Sequence, residues 1–112
     1  MSEDFKKLKI PIVGISHCRE VAEKTLTNYV NKVPLFFKFE IDENNEFDEN
    51  AIKIMVSEDD VKFEKIGFVS KDVNCLLKQA IQDDIIEDVK LETFGESLGH
   101  IGGKLLVLLN LS

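Results

Sequence analysis

Apolar and polar residues alternate along much of this chain, with the two-residue period of a strand that has one face buried. Residues 33–41 show the pattern most clearly, because every second side chain is apolar and Lys38 and Glu40 lie on the other face. Pro34 lacks a backbone donor and therefore predicts an edge strand or a first position. Further strands are predicted over residues 8–16, 51–57, 64–69, 87–94 and 104–111. The second and third of these are expected to form a hairpin, and the last is apolar enough to have both faces covered.

Two other segments carry helical spacing. The more periodic one is preceded by Ser70, a predicted N-cap, and has Asp72 in its first turn. Its apolar positions follow the i, i+3, i+4, i+7 rule and are Val73, Leu76, Leu77, Ala80 and Ile81. Residues 19–30 form a second, weakly periodic helix. Gly14 predicts a bulge or a close backbone approach at the end of the first strand, and the four glycines in residues 95–103 predict a flexible loop.

Six strands and two helices, in an order that is not β-α-β-α, predict a mainly β fold with α elements, built as a small antiparallel or mixed barrel. The chain has 112 residues, of which 44% are hydrophobic, and this predicts one domain over residues 1–112. It contains no run of eighteen apolar residues, and Met1 to Lys7 lack the pattern of a signal peptide. A cytoplasmic location is therefore expected, with Cys18 and Cys75 reduced.

The charge of the chain is acidic and uneven. The formal net charge is −7, which argues against indiscriminate binding to a phosphate backbone. Residues 1–40 nevertheless hold seven basic and five acidic side chains, whereas residues 41–112 hold seven basic and sixteen acidic side chains. A surface that faces an anion is therefore expected to draw on the N-terminal third, which supplies Lys6, Lys7, Lys9, Arg19, Lys24 and Lys32.

No residue pattern points to catalysis. His17 and His100 are the only histidines, and neither lies in a recognisable catalytic setting. Phosphate-binding glycine loops of the G-x-x-x-x-G-K-[ST] type, zinc-ligand spacings and calcium-loop patterns are missing from the sequence. We expect no enzyme activity, no cofactor and no metal.

Short hydrogen-bonding side chains crowd one loop. Asn45, Asp48 and Asn50 surround the aromatic Phe47, and a predicted strand follows at once. Asn and Asp bond their own backbone and so rigidify a turn without glycine. On this chemistry alone, the loop is a capped turn between strands.

The order of three blocks nevertheless resembles the HIRAN domain family. Pro11-Ile12-Val13-Gly14-Ile15-Ser16-His17 is similar to the Val-Val-Gly opening strand of these domains, residues 44–54 to their N-x-Y/F-D-x-N-A-I-x-V pattern, and residues 66–69 to their hydrophobic-Gly strand. The resemblance covers about residues 10–95, and the strand at 104–111 completes the domain. It implies a six-stranded barrel like that of oligonucleotide-binding (OB) folds, with one or two helices packed on it. The chain is longer than the family's usual connection between Cys18 and Glu40, where the weakly periodic helix falls.

The resemblance implies recognition of single-stranded DNA at a free 3′ end, in DNA repair or replication-fork processing, by modules that are often attached to helicases and nucleases. Matching the family block by block predicts a nucleic-acid site formed by Ser16, His17, Arg19, Asn45, Phe47, Asp48, Phe68, Lys71 and His100. Asp48, beside Asn45, would accept a hydrogen bond from the terminal hydroxyl. Phe47 would either contact the nucleotide or anchor the loop in the core, and Phe68 falls where the family can carry a histidine. Lys71 and Arg19 would hold phosphates, and His17 or His100 would supply a ring.

One block departs from the family. DNA-binding members follow the Val-Gly pair with an arginine and tandem tyrosines, whereas this chain has Ser16-His17-Cys18. Stacking is worth about 1–3 kcal/mol per base in single-strand binders, so the predicted binding is weak. A separately encoded helicase or nuclease would be the partner. The alternative is a protein-interaction or oligomerisation module, a monomer or weak homodimer, that has kept the barrel and lost the DNA site. Residues 104–111 could then pair with another chain if they formed an edge.

Overall fold

The computed structural model describes residues 4–112 of the chain. Met1, Ser2 and Glu3, which enter the prediction about a signal peptide, lie outside the described residues. The six strands are β1 (Phe5–Val13), β2 (Phe36–Ile41), β3 (Ile52–Ser57), β4 (Glu64–Val69), β5 (Ile86–Ser97) and β6 (His100–Asn110). The two helices are α1 (Arg19–Val30) and α2 (Asn74–Gln82), and a 3₁₀ turn (Ile15–Cys18) precedes α1.

All six strands form one sheet in the order β2-β3-β4-β1-β6-β5, and every neighbouring pair is antiparallel. The sheet curls strongly into a half-barrel, and this confirms the predicted mainly β class with six strands and two helices. Most of the strand bounds agree with the prediction within a few residues, and residues 64–69 agree throughout. β2 is an edge strand, as Pro34 predicts.

The concave face of the curled sheet carries the hydrophobic core. Alternate residues of the central strands point into it and are almost fully buried; they include Ile10, Ile52, Ile54, Leu105 and Val107. Helix α1 contributes Ala22 to this core and α2 contributes Leu77 and Ala80. The end of α2 lies between the two edge strands, because Ala80 and Ile81 share a cavity with Phe37 and Phe39 of β2 and Ile86 and Val89 of β5. Both helices therefore cover the concave face, and no helix formed by residues 4–112 lies on the convex face.

Several local predictions are wrong. Residues 14–16 leave the first strand, because Gly14 adopts a left-handed conformation (φ 74°) and starts the 3₁₀ turn. Ser70 does not cap α2: its carbonyl accepts the backbone N–H groups of Val73 and Asn74 in a turn, and Val73 is the N-cap. Leu76 faces the solvent with 53% of its surface exposed.

The predicted glycine loop is also wrong. Residues 95–103 mostly continue β5 and β6, which are joined by a tight turn at Leu98 and Gly99 (φ 52° and 80°). Such a turn needs positive φ at both positions, and glycine supplies one of them without strain. β6 lies between β1 and β5, so it is not an edge strand and the condition for its pairing with another chain is not met. Within residues 4–112, no helix has the length and apolar character needed to cross a membrane.

Gly67 marks a close approach to the backbone of a neighbouring strand. A Cβ atom at this position would lie 2.5 Å from the carbonyl oxygen of Val13 and 2.6 Å from a methyl carbon of Ile12. β1 and β4 are paired only at Ile12 with Val69 and Val13 with Phe68. The glycine of the hydrophobic-Gly block is therefore required by packing, because any side chain would push β1 away from β4.

We expect Gly67→Ala to lower the free energy of unfolding by about 1–3 kcal/mol, the usual cost of forcing an extra carbon into a packed site. Urea denaturation followed by circular dichroism measures the change. Gly102→Ala is the matched control, because a Cβ there has no neighbour within 4 Å among the described residues. Equal stabilities for the two variants would contradict the role given to Gly67.

Candidate functional site

The residues predicted to bind nucleic acid lie on the two sides of the short junction between β1 and β4. These strands are antiparallel and pair only through their last residues, so they end in opposite directions. β4 ends where β3 begins and where the loop from residue 42 to residue 51 closes β2 and β3, and we call this end of β2, β3 and β4 the site end. β1 ends on the other side of the junction, toward the start of β6. The predicted residues therefore form two groups, one on each side of Phe68.

The first group is the polar loop between β2 and β3. The side-chain oxygen of Asn45 accepts the backbone N–H groups of Phe47 and Asp48, both at 2.9 Å, and its amide donates to Asp42 at 3.2 Å. One carboxylate oxygen of Asp48 accepts the backbone N–H of Asn50 at 2.9 Å. The loop therefore has the capped-turn structure that its composition predicts, without glycine.

Asp48 also holds the loop to α2. Its second oxygen accepts a hydrogen bond from the side-chain amide of Asn74, the first residue of the helix, at 2.8 Å. Asn74 is 4% exposed, and this bond satisfies its buried amide. The sequence analysis did not predict a role for Asn74, because asparagine is common near the start of a helix and carries no further signal there.

The pKa of Asp48 lies below its ordinary value. The main cause is the backbone hydrogen bond from Asn50, followed by the bond from Asn74 and the positive charges of Lys71 and Lys78. The carboxylate is consequently charged at neutral pH. It keeps an acidic acceptor at the site end, close to Lys71.

Phe47 does not anchor the loop in the core. Its side chain is 91% exposed, at the tip of the polar loop. Of the two roles predicted for it, burial in the core is wrong. A ring in this position is available to a ligand.

Phe68 lies between the two groups, on the convex face of the sheet. It is opposite Val13 of β1 on one side and Lys53 of β3 on the other. The ring carbon Cδ2 lies 3.6 Å from the place where a Cβ on Gly14 would be. The ammonium of Lys65 lies 4.9 Å from the ring centre, within the range of a cation–π interaction.

The second group surrounds the turn between β5 and β6. Ser16, Arg19 and His100 line a small cavity of about 50 Å³ together with Ile15, Ala22 and Ile101. Arg19 is engaged in structural contacts: Nε donates to Glu23 at 2.9 Å, Nη1 donates to the carbonyl of Gly99 at 3.1 Å, and Nη2 lies 3.6 Å from Glu96. Its guanidinium therefore ties α1 to the β5–β6 turn, and its predicted role in holding phosphate competes with these bonds.

The two remaining predicted residues are exposed, one in each group. His17 lies in the 3₁₀ turn after β1, where its backbone N–H donates to the carbonyl of Gly14 at 3.1 Å, and Lys71 follows the end of β4 beside the polar loop. Because β1 and β4 are antiparallel, the structure does not bring the predicted residues to one end. It places Phe68 between the two groups, and the cavity formed by Ser16, Arg19 and His100 belongs to one of them alone.

The polar loop carries more negative than positive charge. Five carboxylates lie within residues 42–49, and Lys71 and Lys78 are the cations that act on Asp48. Lys78 is also bound, because its ammonium donates to the backbone carbonyl of Glu49 at 3.0 Å. A phosphate group next to this loop would be repelled, whereas a hydroxyl donor would be accepted.

Metal ligands do not cluster in residues 4–112: no group of three His, Cys, Asp or Glu side chains has the geometry to hold an ion. Cys18 and Cys75 are free thiols. Comparison of the chain with protein-family models, with characterised proteins and with solved structures found no match. The resemblance to HIRAN domains therefore stays a prediction from the three sequence blocks.

The lowered pKa of Asp48 predicts how pH acts on stability. A carboxylate whose pKa is lower in the folded state stabilises the fold above its unfolded pKa of about 3.9, and this contribution is lost as pH falls through the folded pKa. We expect Asp48→Asn to be less stable than the wild type at neutral pH, with a difference that shrinks on acidification below about pH 4. Urea denaturation over a pH series measures this difference.

The control for this prediction is Glu46→Gln, which removes one charge from an exposed side chain of the same loop. Its stability should follow that of the wild type more closely. A difference between wild type and Asp48→Asn that stays constant with pH would show that the charge of Asp48 does not stabilise the fold.

Proposed function

We propose that this chain is a nucleic-acid-binding module that binds single-stranded DNA at an end with a free 3′ hydroxyl. The proposal rests on the order of the three HIRAN-like blocks together with one structural observation. That observation is the position of Phe68, a half-buried ring on the convex face at the site end, with Lys65 over the ring and Lys53 directly opposite it. Participation in DNA repair or fork processing, beside a separately encoded helicase or nuclease, follows from the resemblance alone.

Phe68 offers the combination that single-strand binding needs. A base stacks on an aromatic face irrespective of its sequence, and nearby ammonium groups pair with the phosphates on either side. Phe47, whose ring is open to solvent in the polar loop, supplies a second aromatic surface at the same end. These two rings take the place of the tandem tyrosines that the chain lacks, and His17 and His100 offer imidazole rings on the other side of the junction between β1 and β4.

Asp48 supports recognition of an unphosphorylated terminus. The charged carboxylate accepts a hydrogen bond from a hydroxyl and repels a terminal phosphate. Its hydrogen bonds to Asn50 and Asn74 fix the direction of the oxygens, each of which has a further lone pair to offer. The other carboxylates of the loop also repel phosphate. The loop therefore fits the hydroxyl end of a DNA strand better than an internal phosphate.

We expect a short single-stranded oligonucleotide with a 3′ hydroxyl to bind more tightly than the same oligonucleotide with a 3′ phosphate, and both affinities to fall as salt rises. Fluorescence anisotropy with a 5′-labelled oligonucleotide measures both. Asp48→Asn should reduce the preference for the hydroxyl, because the neutral amide no longer repels the phosphate. Phe68→Ala should weaken binding to both ligands by about tenfold, corresponding to loss of one stacked base.

Asp59→Asn is the matched control. Asp59 also accepts backbone N–H groups, from Val61 and Lys62 at 2.9 Å, and its pKa is also lowered by these bonds, but it lies at the opposite end of β3. This variant should keep the full preference for the hydroxyl. Equal affinity for the two oligonucleotides in the wild type would reject recognition of the 3′ end.

The alternative function, association with a second copy or another protein, has a different observation in its favour. Four apolar side chains close together in sequence are at least 38% exposed at the end of α1 and the start of the edge strand β2: Tyr29, Val30, Val33 and Phe36. Size-exclusion chromatography with light scattering separates the two readings. A concentration-dependent dimer that Phe36→Ser abolishes, without any DNA binding, would favour the alternative.

A further inference from the structure

The convex face of the sheet is basic, although the chain as a whole has a net charge of −7. Strand register places seven lysines on this face: Lys7, Lys9, Lys38, Lys53, Lys65, Lys90 and Lys104. The carboxylates that share the register of this face are Glu40 and Asp88, and Glu87 and Glu92 occupy the two bulges of β5, where Glu92 pairs with Lys9. Most of the acidic residues lie instead in α1, in the loops and at the hairpin tip. Basic and acidic residues that are mixed along the sequence therefore lie on different parts of the folded surface.

Every strand of the sheet contributes at least one of these lysines. Lys9, Leu106 and Lys90 lie side by side on β1, β6 and β5, and Lys38, Met55 and Lys65 lie side by side on β2, β3 and β4. Adjacent strands are about 4.8 Å apart, so the lysines of each row are about 10 Å apart with an apolar side chain between them. Lys104 lies between Pro11 and Thr93 in a neighbouring row.

Phe68 and Val13 join the two rows, because they are directly opposite each other where β4 meets β1. The convex face thus presents lysines interleaved with half-buried apolar and aromatic side chains, continuous with the site end. Three of the lysines have a carboxylate partner: Lys9 with Glu92, Lys53 with Glu40 and Lys90 with Asp88, at 3.2, 3.8 and 3.5 Å. Among residues 4–112, the other four make no ion pair.

We propose that this convex face binds the backbone of single-stranded nucleic acid and carries the strand away from the site end. The inference deepens the proposed function and rests on it for the identity of the ligand. Charge complementarity favours a polyanion, and the apolar side chains between the lysines favour one that also has planar bases. The curvature favours a single strand, because bending a duplex with a persistence length of about 50 nm around a molecule of 44 × 37 × 28 Å costs elastic energy that a flexible single strand does not need.

The test compares two triple variants that remove the same charge from different places. Lys38→Gln/Lys65→Gln/Lys104→Gln removes three ammonium groups from the convex face. Lys24→Gln/Lys32→Gln/Lys62→Gln removes three from α1, from the residues that follow it and from the β3–β4 loop. Affinity for a labelled single-stranded oligonucleotide of about 12 nucleotides, within the usual span of one small barrel, is measured over a salt series.

We expect the convex-face variant to lose at least tenfold in affinity at low salt, and its plot of log affinity against log salt to become shallower by about 2, since each phosphate contact contributes about 0.7 to the slope. The other triple variant should keep most of the wild-type slope. Lys→Arg replacement at the same three convex-face positions should restore binding, which separates loss of charge from loss of fold. Equal slopes for the two Gln variants would overturn the proposal.

A circular single-stranded DNA separates this inference from end recognition. If the convex face holds the backbone, the circle binds and its affinity falls in the convex-face variant, whatever happens to the preference for a 3′ hydroxyl. If the face fails while the end is recognised, the linear 3′-hydroxyl oligonucleotide binds, the circle does not, and the two Gln variants behave alike. Binding of anionic lipid vesicles or an acidic peptide in place of every single-stranded DNA would also reject the inference.

Discussion

The fold depends on a short junction between two halves of one sheet. β2, β3 and β4 form one half and β1, β6 and β5 the other, and only the pairing of β1 with β4 joins them. That pairing covers two positions, Ile12 with Val69 and Val13 with Phe68, and it requires the bare backbone of Gly67. The buried side chains on both sides of the junction, Ile12 and Val69, connect the cores of the two halves. The same junction sets Phe68 beside Val13, so core packing and the candidate site share one set of contacts.

Much of this architecture was predictable from alternation. The strands at residues 33–41, 51–57 and 64–69 were identifiable because one face of each is buried and the other is wet, and the two helices because their apolar residues recur with helical spacing. Predictions from local residue chemistry were wrong where pairing with segments distant in sequence determines the structure. The glycines of residues 95–103 suggested a mobile loop, yet cross-strand hydrogen bonding extends β5 and β6 through most of them. Ser70 looked like a helix cap, but its carbonyl closes a turn that delays the helix to Asn74.

The site was predictable in part. The three sequence blocks meet on adjacent strands at Val13, Phe68 and Lys53, but antiparallel pairing puts the polar loop and the 3₁₀ turn on opposite sides of this row. The loop around Asn45 and Asp48 has the self-capped structure that its composition predicts. Arg19 could not be foreseen as a structural tie, because its partners Glu96 and Gly99 lie far away in sequence. The basic surface was expected from the N-terminal third, but Lys24 faces Glu64 while Lys65, Lys90 and Lys104 join Lys7 and Lys9. The signal for this was the alternation itself, which puts those lysines on the polar face of their strands.

Helix α2 has a consequence for how the protein behaves when it is damaged. The sheet has two free edges, β2 and β5, and unpaired strand edges are templates for intermolecular pairing. The last turn of α2 lies between them, where Ala80 and Ile81 line the cavity that separates the two edges, and Asp48 holds the start of the helix through Asn74. A lesion that frees this helix would expose both edges together, so aggregation would compete with refolding. Helix α2 therefore contributes to the hydrophobic core and also limits intermolecular strand pairing of the amyloid type.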